Sequence, residues 1–212
     1  MIKVFQNIEN KLNPVYIGEL NPVQRRMLLE RNLISQDFSL QGHKAFAISS
    51  NEATTAMINE IDHVRTASFR RGLELSDLYS GIKALDKNLE TFLPFAASLE
   101  MGYVTTELTN FGTGMRVSLM LHLPALVKTG LIEKALKLVV QIGFTAKGFF
   151  GGDENSLGDI YQISNQFCIG MSEEEIIDKM MNVAEQLIHY ERKAREELLS
   201  KVKTEMEDKV FR

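Results

Sequence analysis

This sequence is poor in cysteine, has no tryptophan, contains four prolines and carries no net positive charge, and several of these shortages close off a class of protein. Cys168 is the sole cysteine, so an intrachain disulfide and a thiolate metal cluster are excluded and a reducing compartment is the natural setting. The formal net charge of −4 gives no electrostatic reason to expect nucleic acid or an anionic membrane as partner. No apolar run approaches the roughly 18 residues of a membrane span, because Lys128, Glu133, Lys134 and Lys137 interrupt the longest one. The opening MIKVFQNIENKLNP carries Lys3, Glu9 and Lys11 and lacks the continuous apolar centre of a secretion signal, so a soluble, cytoplasmic chain is expected.

What is present is the balance of an ordinary globular protein, 44% hydrophobic and 25% charged over 212 residues, enough for one large domain with a real core. Residues 22–31 have helical spacing, with Val23, Met27 and Leu28 on one side after a Pro22 suited to a first turn. From Lys44 to Phe69 the text turns to KAFAISS, TTAMINE and HVRTASF, short β-prone runs split by Asn51-Glu52 and Asp62-His63, which predict consecutive antiparallel strands. Leu78, Ile82, Leu85, Leu89 and Phe92 recur at helical intervals. After Pro124 a single helix is predicted to about Ile142, capped by Gly143, followed by a TAKGFF strand, a GGDENSLGD loop and an IYQISNQFCIG strand. Ser172 and Glu175 have capping-box spacing and open the longest helix, whose apolar stripe thins after Ala194 as if the last turns left the core or met a partner. The fold class is α+β, a mainly antiparallel sheet flanked by helices.

Three phrases carry a family resemblance: NEIDHVRT at 59–66, GYVTTELTNFGTGMRVSLMLHLPAL at 102–126 and GDIYQISNQ at 158–166. Together with ERNLISQDF at 30–38 and the helix from Met181 to Leu198, they resemble the phosphagen kinase (ATP:guanido phosphotransferase) family, and within it the McsB type of bacterial protein-arginine kinases. The resemblance implies a glutamine synthetase/guanidino kinase type of catalytic domain over residues 22–212, with residues 1–21 as a lead-in and without the family's helical N-terminal domain. It also implies transfer of the γ-phosphoryl group of ATP, with Mg²⁺, to a guanidinium nitrogen. That chemistry needs carboxylates to orient a strongly basic cation and take its proton, and an arginine fork to neutralise the triphosphate.

Set against the family pattern, several of those groups are replaced. Ile61 stands where the family's NEED-H phrase has a guanidinium-binding glutamate, Glu107 where it has a cysteine, and Asn155 where a Gly-Glu-Gly-Ser-Glu loop supplies its other carboxylate. Glu60, Glu107 and Glu154 are the candidate substitutes, Glu154 through a one-residue loop shift. On the phosphate side Arg65 and Arg116 match two triphosphate-binding arginines, Lys147 replaces a third without its bidentate fork, and Asn32 takes the place of a histidine that packs on adenine. The family's Ser-Ser-Arg-x-Arg strand has no counterpart in this sequence.

Read without the resemblance, Arg65 and Arg116 are surface arginines, His63 and His122 serve packing or backbone contacts, and Cys168 is a small buried apolar residue. The glycine pair of Phe111–Met115 is weak evidence of a phosphate cradle by itself, and GGDENS reads as a surface loop before it reads as a metal site. The leading expectation is a pseudokinase that binds nucleotide or a protein partner, such as a complete arginine kinase or a protein-quality-control component. The alternative is an active arginine phosphotransferase completed by relocated carboxylates or a second chain, and a homodimer is compatible with either.

Overall fold

The structure is a computed structural model that describes residues 4–5, 12–35, 38, 44–149 and 156–211, the last eleven (201–211) as backbone. The chain divides into two compact units, Met1–Leu108 and Thr109–Arg212.

In the first unit the β-prone runs form the predicted strands: β2 (Ala45–Ser49), β3 (Thr54–Ile58) and β4 (Val64–Ser68), paired antiparallel in chain order. The β2–β3 turn is closed by Asn51, whose Oδ1 accepts from the Ser49 hydroxyl at 2.7 Å and the Ala53 N–H at 3.1 Å. A fourth strand, β1 (Leu12–Tyr16), lies in the stretch expected as lead-in and pairs with β2. Pro14 hid it, since proline cannot donate to a ladder, and β1 is an edge strand where that loss is tolerated.

Both faces of this sheet are covered, and β2, AFAIS, reads accordingly as nearly continuous apolar text. One face sets Ala45, Ala47, Ala56 and Ile58 against Leu85 and Leu89 of α2 (Leu75–Glu90). The other sets Phe46 and Met57 against Leu28, Leu33, Ile34 and Phe38. Each fully buried Leu or Phe contributes about 1.5–3 kcal/mol relative to exposure.

Helix α1 (Pro22–Glu30) starts with a capping box between Asn21 and Gln24 and ends in a Schellman closure. The Leu33 N–H reaches the Leu28 carbonyl and the Asn32 N–H the Leu29 carbonyl, with Asn32 left-handed at φ 59°. Of the side predicted to be apolar only Leu28 is buried, and Val23 is 77% exposed.

In the second unit β7 (Ser118–His122) and β8 (Phe144–Gly148) flank β9 (Ile160–Asn165) antiparallel, after the short hairpin β5 (Ala97–Ser98) and β6 (Gly102–Tyr103) of the first unit. The predicted helix from Pro124 is two helices, α3 (Pro124–Lys128) and α4 (Ile132–Gln141). Its apolar period runs across Gly130, but Gly130 turns left-handed at φ 70°, and the Leu131 and Gly130 amides close back on Leu126 and Val127. The last predicted strand stops at Asn165, whose side chain is turned to tie loops together instead of extending a ladder.

Helix α5 (Glu173–Phe211) begins with the predicted Ser172–Glu175 capping box. Its buried stripe of Ile176, Met180, Ala184 and Leu187 contains one carboxylate, Glu191, which is 4% exposed. Glu191 accepts the Ala125 and Leu126 N–H groups, each at 3.0 Å, and so caps α3, whose own N-cap position, Leu123, offers no side-chain acceptor.

Candidate functional site

The turn between β3 and β4 begins at Asn59, left-handed at φ 58°, whose N–H donates to the His63 carbonyl at 3.0 Å. The next three side chains diverge. Glu60 folds inward, its side chain 3% exposed, and takes Arg65 Nη1 at 3.2 Å and the Ile61 N–H at 3.1 Å. Burial by itself would raise the Glu60 carboxyl, but the Ser35 hydroxyl, the Ile61 N–H and Arg65 outweigh it and hold the group below its ordinary value. Ile61 points outward, 48% exposed. Asp62 reaches across to the Thr106–Glu107 segment, its Oδ1 accepting the Thr106 N–H at 2.7 Å and the Glu107 N–H at 3.2 Å.

Three sequence-predicted positions lie on or beside this turn: Ile61 on it, Arg65 paired with its Glu60, and Glu107 on the segment whose backbone Asp62 holds. Glu60 is engaged with a cation and two donors, so its carboxylate is already spent as a substitute for position 61. Glu107 is half-buried and is the carboxylate whose backbone Asp62 holds.

In the second unit a rigid loop presents Arg116. Its Nε donates to Asn110 Oδ1 at 2.8 Å, Nη2 to Thr109 Oγ1 at 2.6 Å and Nη1 to the Asn165 carbonyl at 3.5 Å. A guanidinium has five N–H donors, and these three bonds use one on each nitrogen. Arg116 is exposed and therefore reachable by a ligand.

The loop is held from beneath. Asn165, 1% exposed, accepts the Val117 N–H at 2.8 Å and donates to the Met115 and Phe167 carbonyls at 3.1 and 2.9 Å. The Cys168 thiol donates to the Met115 carbonyl at 3.0 Å, and burial pushes its pKa up despite Arg116, Asn165 and Thr113 nearby. Gly112, at φ 108°, lies so close to the Cys168 carbonyl that a Cβ would sit 2.5 Å from that oxygen. Thr113 bonds the same oxygen through its N–H at 2.9 Å and its hydroxyl at 3.1 Å.

The other predicted positions fare differently. Lys147 is exposed on β8, opposite Gln162 of β9. Asn32 serves as the left-handed closing residue of α1, a backbone role that asparagine tolerates better than most side chains. Glu154 and Asn155 lie outside the described residues. The side chains of His63 and His122 are exposed, so packing does not explain them. Among the described residues no three His, Cys, Asp or Glu side chains gather as metal ligands. Ser35, Asp62, Gly112 and Asn165 were not picked out from the sequence. Only Gly112 carried a local signal, in the glycine pair of its loop.

The family model described as ATP:guanido phosphotransferase, C-terminal catalytic domain, matches residues 1–194. A protein-arginine kinase of Bacillus mycoides (strain KBAB4) is 39% identical over 196 residues, 92% of this chain and 55% of that protein. One of Clostridium kluyveri is 39% identical over 209 residues, 98% of this chain and 61% of that protein. The chain thus spans little more than half the length of these curated relatives. Among solved structures, the duplicated taurocyamine kinase of Schistosoma mansoni with bound transition state analog components matches with a TM-score of 0.75 at 20% identity, over 89% of this chain and 28% of that one. A lombricine kinase matches with a TM-score of 0.71 at 22% identity, over 90% of this chain and 57% of that one, a likeness of fold. With the family's catalytic-domain model spanning most of its length, this chain belongs to the ATP:guanido phosphotransferase family.

Proposed function

We propose that this chain is a guanidino-kinase-type domain impaired in phosphoryl transfer, a cytoplasmic pseudokinase that works by binding ATP with Mg²⁺ or a protein partner. The observation behind this reading is the β3–β4 turn: the position that should hold a cationic acceptor is an outward-facing isoleucine, and the acids on either side of it are engaged elsewhere. Without a base aimed at the acceptor, a guanidinium with a pKa above about 12 stays protonated and is a poor nucleophile. Binding groups survive better than reacting groups, since Arg116 is pinned and exposed. Magnesium, on this reading, arrives on the triphosphate.

The test is incubation of the full chain with ATP, Mg²⁺ and an arginine-rich protein. No phosphoarginine should form, and sustained labelling that disappears in Arg116→Ala would overturn the proposal. Calorimetric titration with ATP separates the two binding roles. Arg65→Ala and Arg116→Ala should each weaken a genuine triphosphate interaction about tenfold, the loss of one charge-assisted contact. Equal heats in all three proteins would leave a protein partner, a complete arginine kinase or a quality-control component, as the ligand.

One observation favours a second reading, an active arginine phosphotransferase with a relocated carboxylate: Asp62 holds the backbone of Glu107 against the turn that carries Ile61. In that case the chain labels protein, and Glu107→Gln abolishes the labelling.

A further inference from the structure

Between the first sheet and α2 a cleft of about 480 Å³ opens at the β2–β3 end, a size within the range of about 300–1,000 Å³ that small-molecule sites occupy. It stands apart from the turn that carries Ile61: that turn follows Ile58 at the other end of β3, roughly 14 Å along the strand from Thr54 of the cleft wall. Leu12, Leu78 and Leu85 line the cleft with hydrocarbon, and Arg70 and Asp77 line it with charge. Arg70 Nη1 donates to Glu74 Oε2 at 3.2 Å and to Asp77 Oδ2 at 3.4 Å. Among the described residues nothing engages Arg70 Nε or Nη2, or Asp77 Oδ1, so a cation and an anion with unused hydrogen-bonding capacity are neighbours in one apolar-lined cleft. Gly81, in the interior of the 16-residue α2, lines the same cleft. Glycine weakens a helix interior relative to alanine, and no neighbour here requires it, since a Cβ at this position would meet nothing within 4 Å. What the missing side chain leaves is room in the cleft.

We infer that this cleft is a binding site for a free α-amino acid with an apolar side chain, its carboxylate on Arg70, its ammonium on Asp77 and its hydrocarbon against Leu12, Leu78 and Leu85. The inference goes beyond the guanidino-kinase reading and does not depend on it. A purely anionic ligand would meet Asp77 and Glu74, and a purely cationic one would meet Arg70. A zwitterion carries both charges on one carbon, side by side as Arg70 and Asp77 are, and answers each with its opposite. The pair itself is exposed and long, so it contributes little to the fold and opens cheaply, whereas charge-assisted hydrogen bonds to a ligand are shorter and stronger.

The experiment titrates the full chain with L-leucine, followed by calorimetry or ligand-observed NMR, and with two probes that each lack one charge, N-acetyl-L-leucine and L-leucinamide. Leucine should bind at millimolar concentration or below, and each single-charge probe about tenfold or more weaker, the loss of one charge-assisted contact. Asp77→Asn should weaken leucine to the level of N-acetylleucine and leave N-acetylleucine itself unchanged, because both remove the same interaction. Arg70→Gln should do the same with leucinamide. Both side chains are exposed, so the fold tolerates either change. Gly81→Leu puts a better helix former into the open space and should abolish binding without lowering the melting temperature; if that variant does not fold, the two charge variants decide. A wild-type chain that takes up no leucine at millimolar concentration overturns the inference. So does leucine binding that persists in a folded Gly81→Leu, or that Arg70→Gln and Asp77→Asn leave unaltered. Equal binding of all three probes marks an apolar slot without charge recognition and overturns it as well. The guanidino-kinase reading stands in each of these cases.

Discussion

Replacing Gly112 by alanine tests whether the loop that presents Arg116 is as tightly locked as its geometry indicates. The new Cβ would stand 2.5 Å from the Cys168 carbonyl oxygen, 2.9 Å from the Ile169 Cα and 3.0 Å from the Cys168 carbonyl carbon. All three are backbone atoms, so no side-chain rotation relieves the clash, and the φ of 108° is itself one that L side chains rarely adopt. The loop must therefore lift, and lifting breaks the two bonds that Thr113 makes to the same oxygen. Two hydrogen bonds at about 1 kcal/mol each, with backbone strain of order 1–3 kcal/mol, give a destabilisation of about 3–5 kcal/mol. Urea denaturation of Gly112→Ala against wild type measures it as a fall in midpoint at unchanged slope. Thr109 and Asn110, which pin the Arg116 guanidinium, belong to the same loop, so ATP affinity should drop together with stability. A midpoint within the error of wild type would mean that the loop does not rest on Cys168, and the account of Arg116 as a preset group would fail with it.

Glu191→Ala removes a buried acceptor from two helix-terminal amides and should cost about 3 kcal/mol, with Glu191→Gln costing roughly half of that, because an unpaired buried N–H loses about 1–3 kcal/mol; equal midpoints for wild type and Glu191→Ala in thermal or urea melts would contradict the cap. Thr55→Val should stabilise the chain by about 1 kcal/mol, since the Thr55 hydroxyl is fully buried and, among the described residues, has no hydrogen-bond partner, and a loss of stability in the same melts would show that it does. Arg65→Ala leaves the buried Glu60 carboxylate without its cation and should destabilise by about 1 kcal/mol, discounted because Arg65 is half-exposed. The Glu60 pKa is depressed by folding, so the stability it provides is present above its unfolded pKa and lost as pH falls through the folded one. The gap between wild type and Arg65→Ala should then close in acid, and a gap that stays constant from pH 7 to pH 3 would contradict the pairing.

The parts of the fold legible in the sequence are those set by short-range chemistry. Hydrophobic period and turn residues located β2, β3 and β4, and the Ser172–Glu175 pair located the start of α5. The α3–α4 break was missed because an apolar period cannot reveal a left-handed glycine in its path. Gly143 was read as a cap and is one, while Gly130, thirteen residues earlier, does the same work unread. For the candidate site, resemblance singled out Arg65, Arg116 and Ile61 by position, and position says nothing of what each side chain is bonded to. Glu60 was weighed as a substitute base because its commitment depends on Ser35, 25 residues upstream, and Arg65, and no spacing rule connects the three. Asn32 was assigned to nucleotide binding by position, whereas its φ of 59° gives it a reason to be asparagine that has nothing to do with a ligand.

The turn at position 61 and the loop that presents Arg116 are each fixed by side chains that bond backbone groups. Asn165 is buried and bonds three separate backbone groups, Gly112 allows a contact no side chain permits, and Asp62 joins two distant segments. Such features make a surface rigid, and rigidity serves binding because the entropy of ordering the contact groups is lost at folding and not at association. Phosphoryl transfer asks for more, a carboxylate at the acceptor as well as a fork at the phosphate. On the impaired reading proposed above, the pinned loop of Arg116 in the second unit serves binding, and the aliphatic Ile61 in the first unit supplies no base for the step that would consume the ligand.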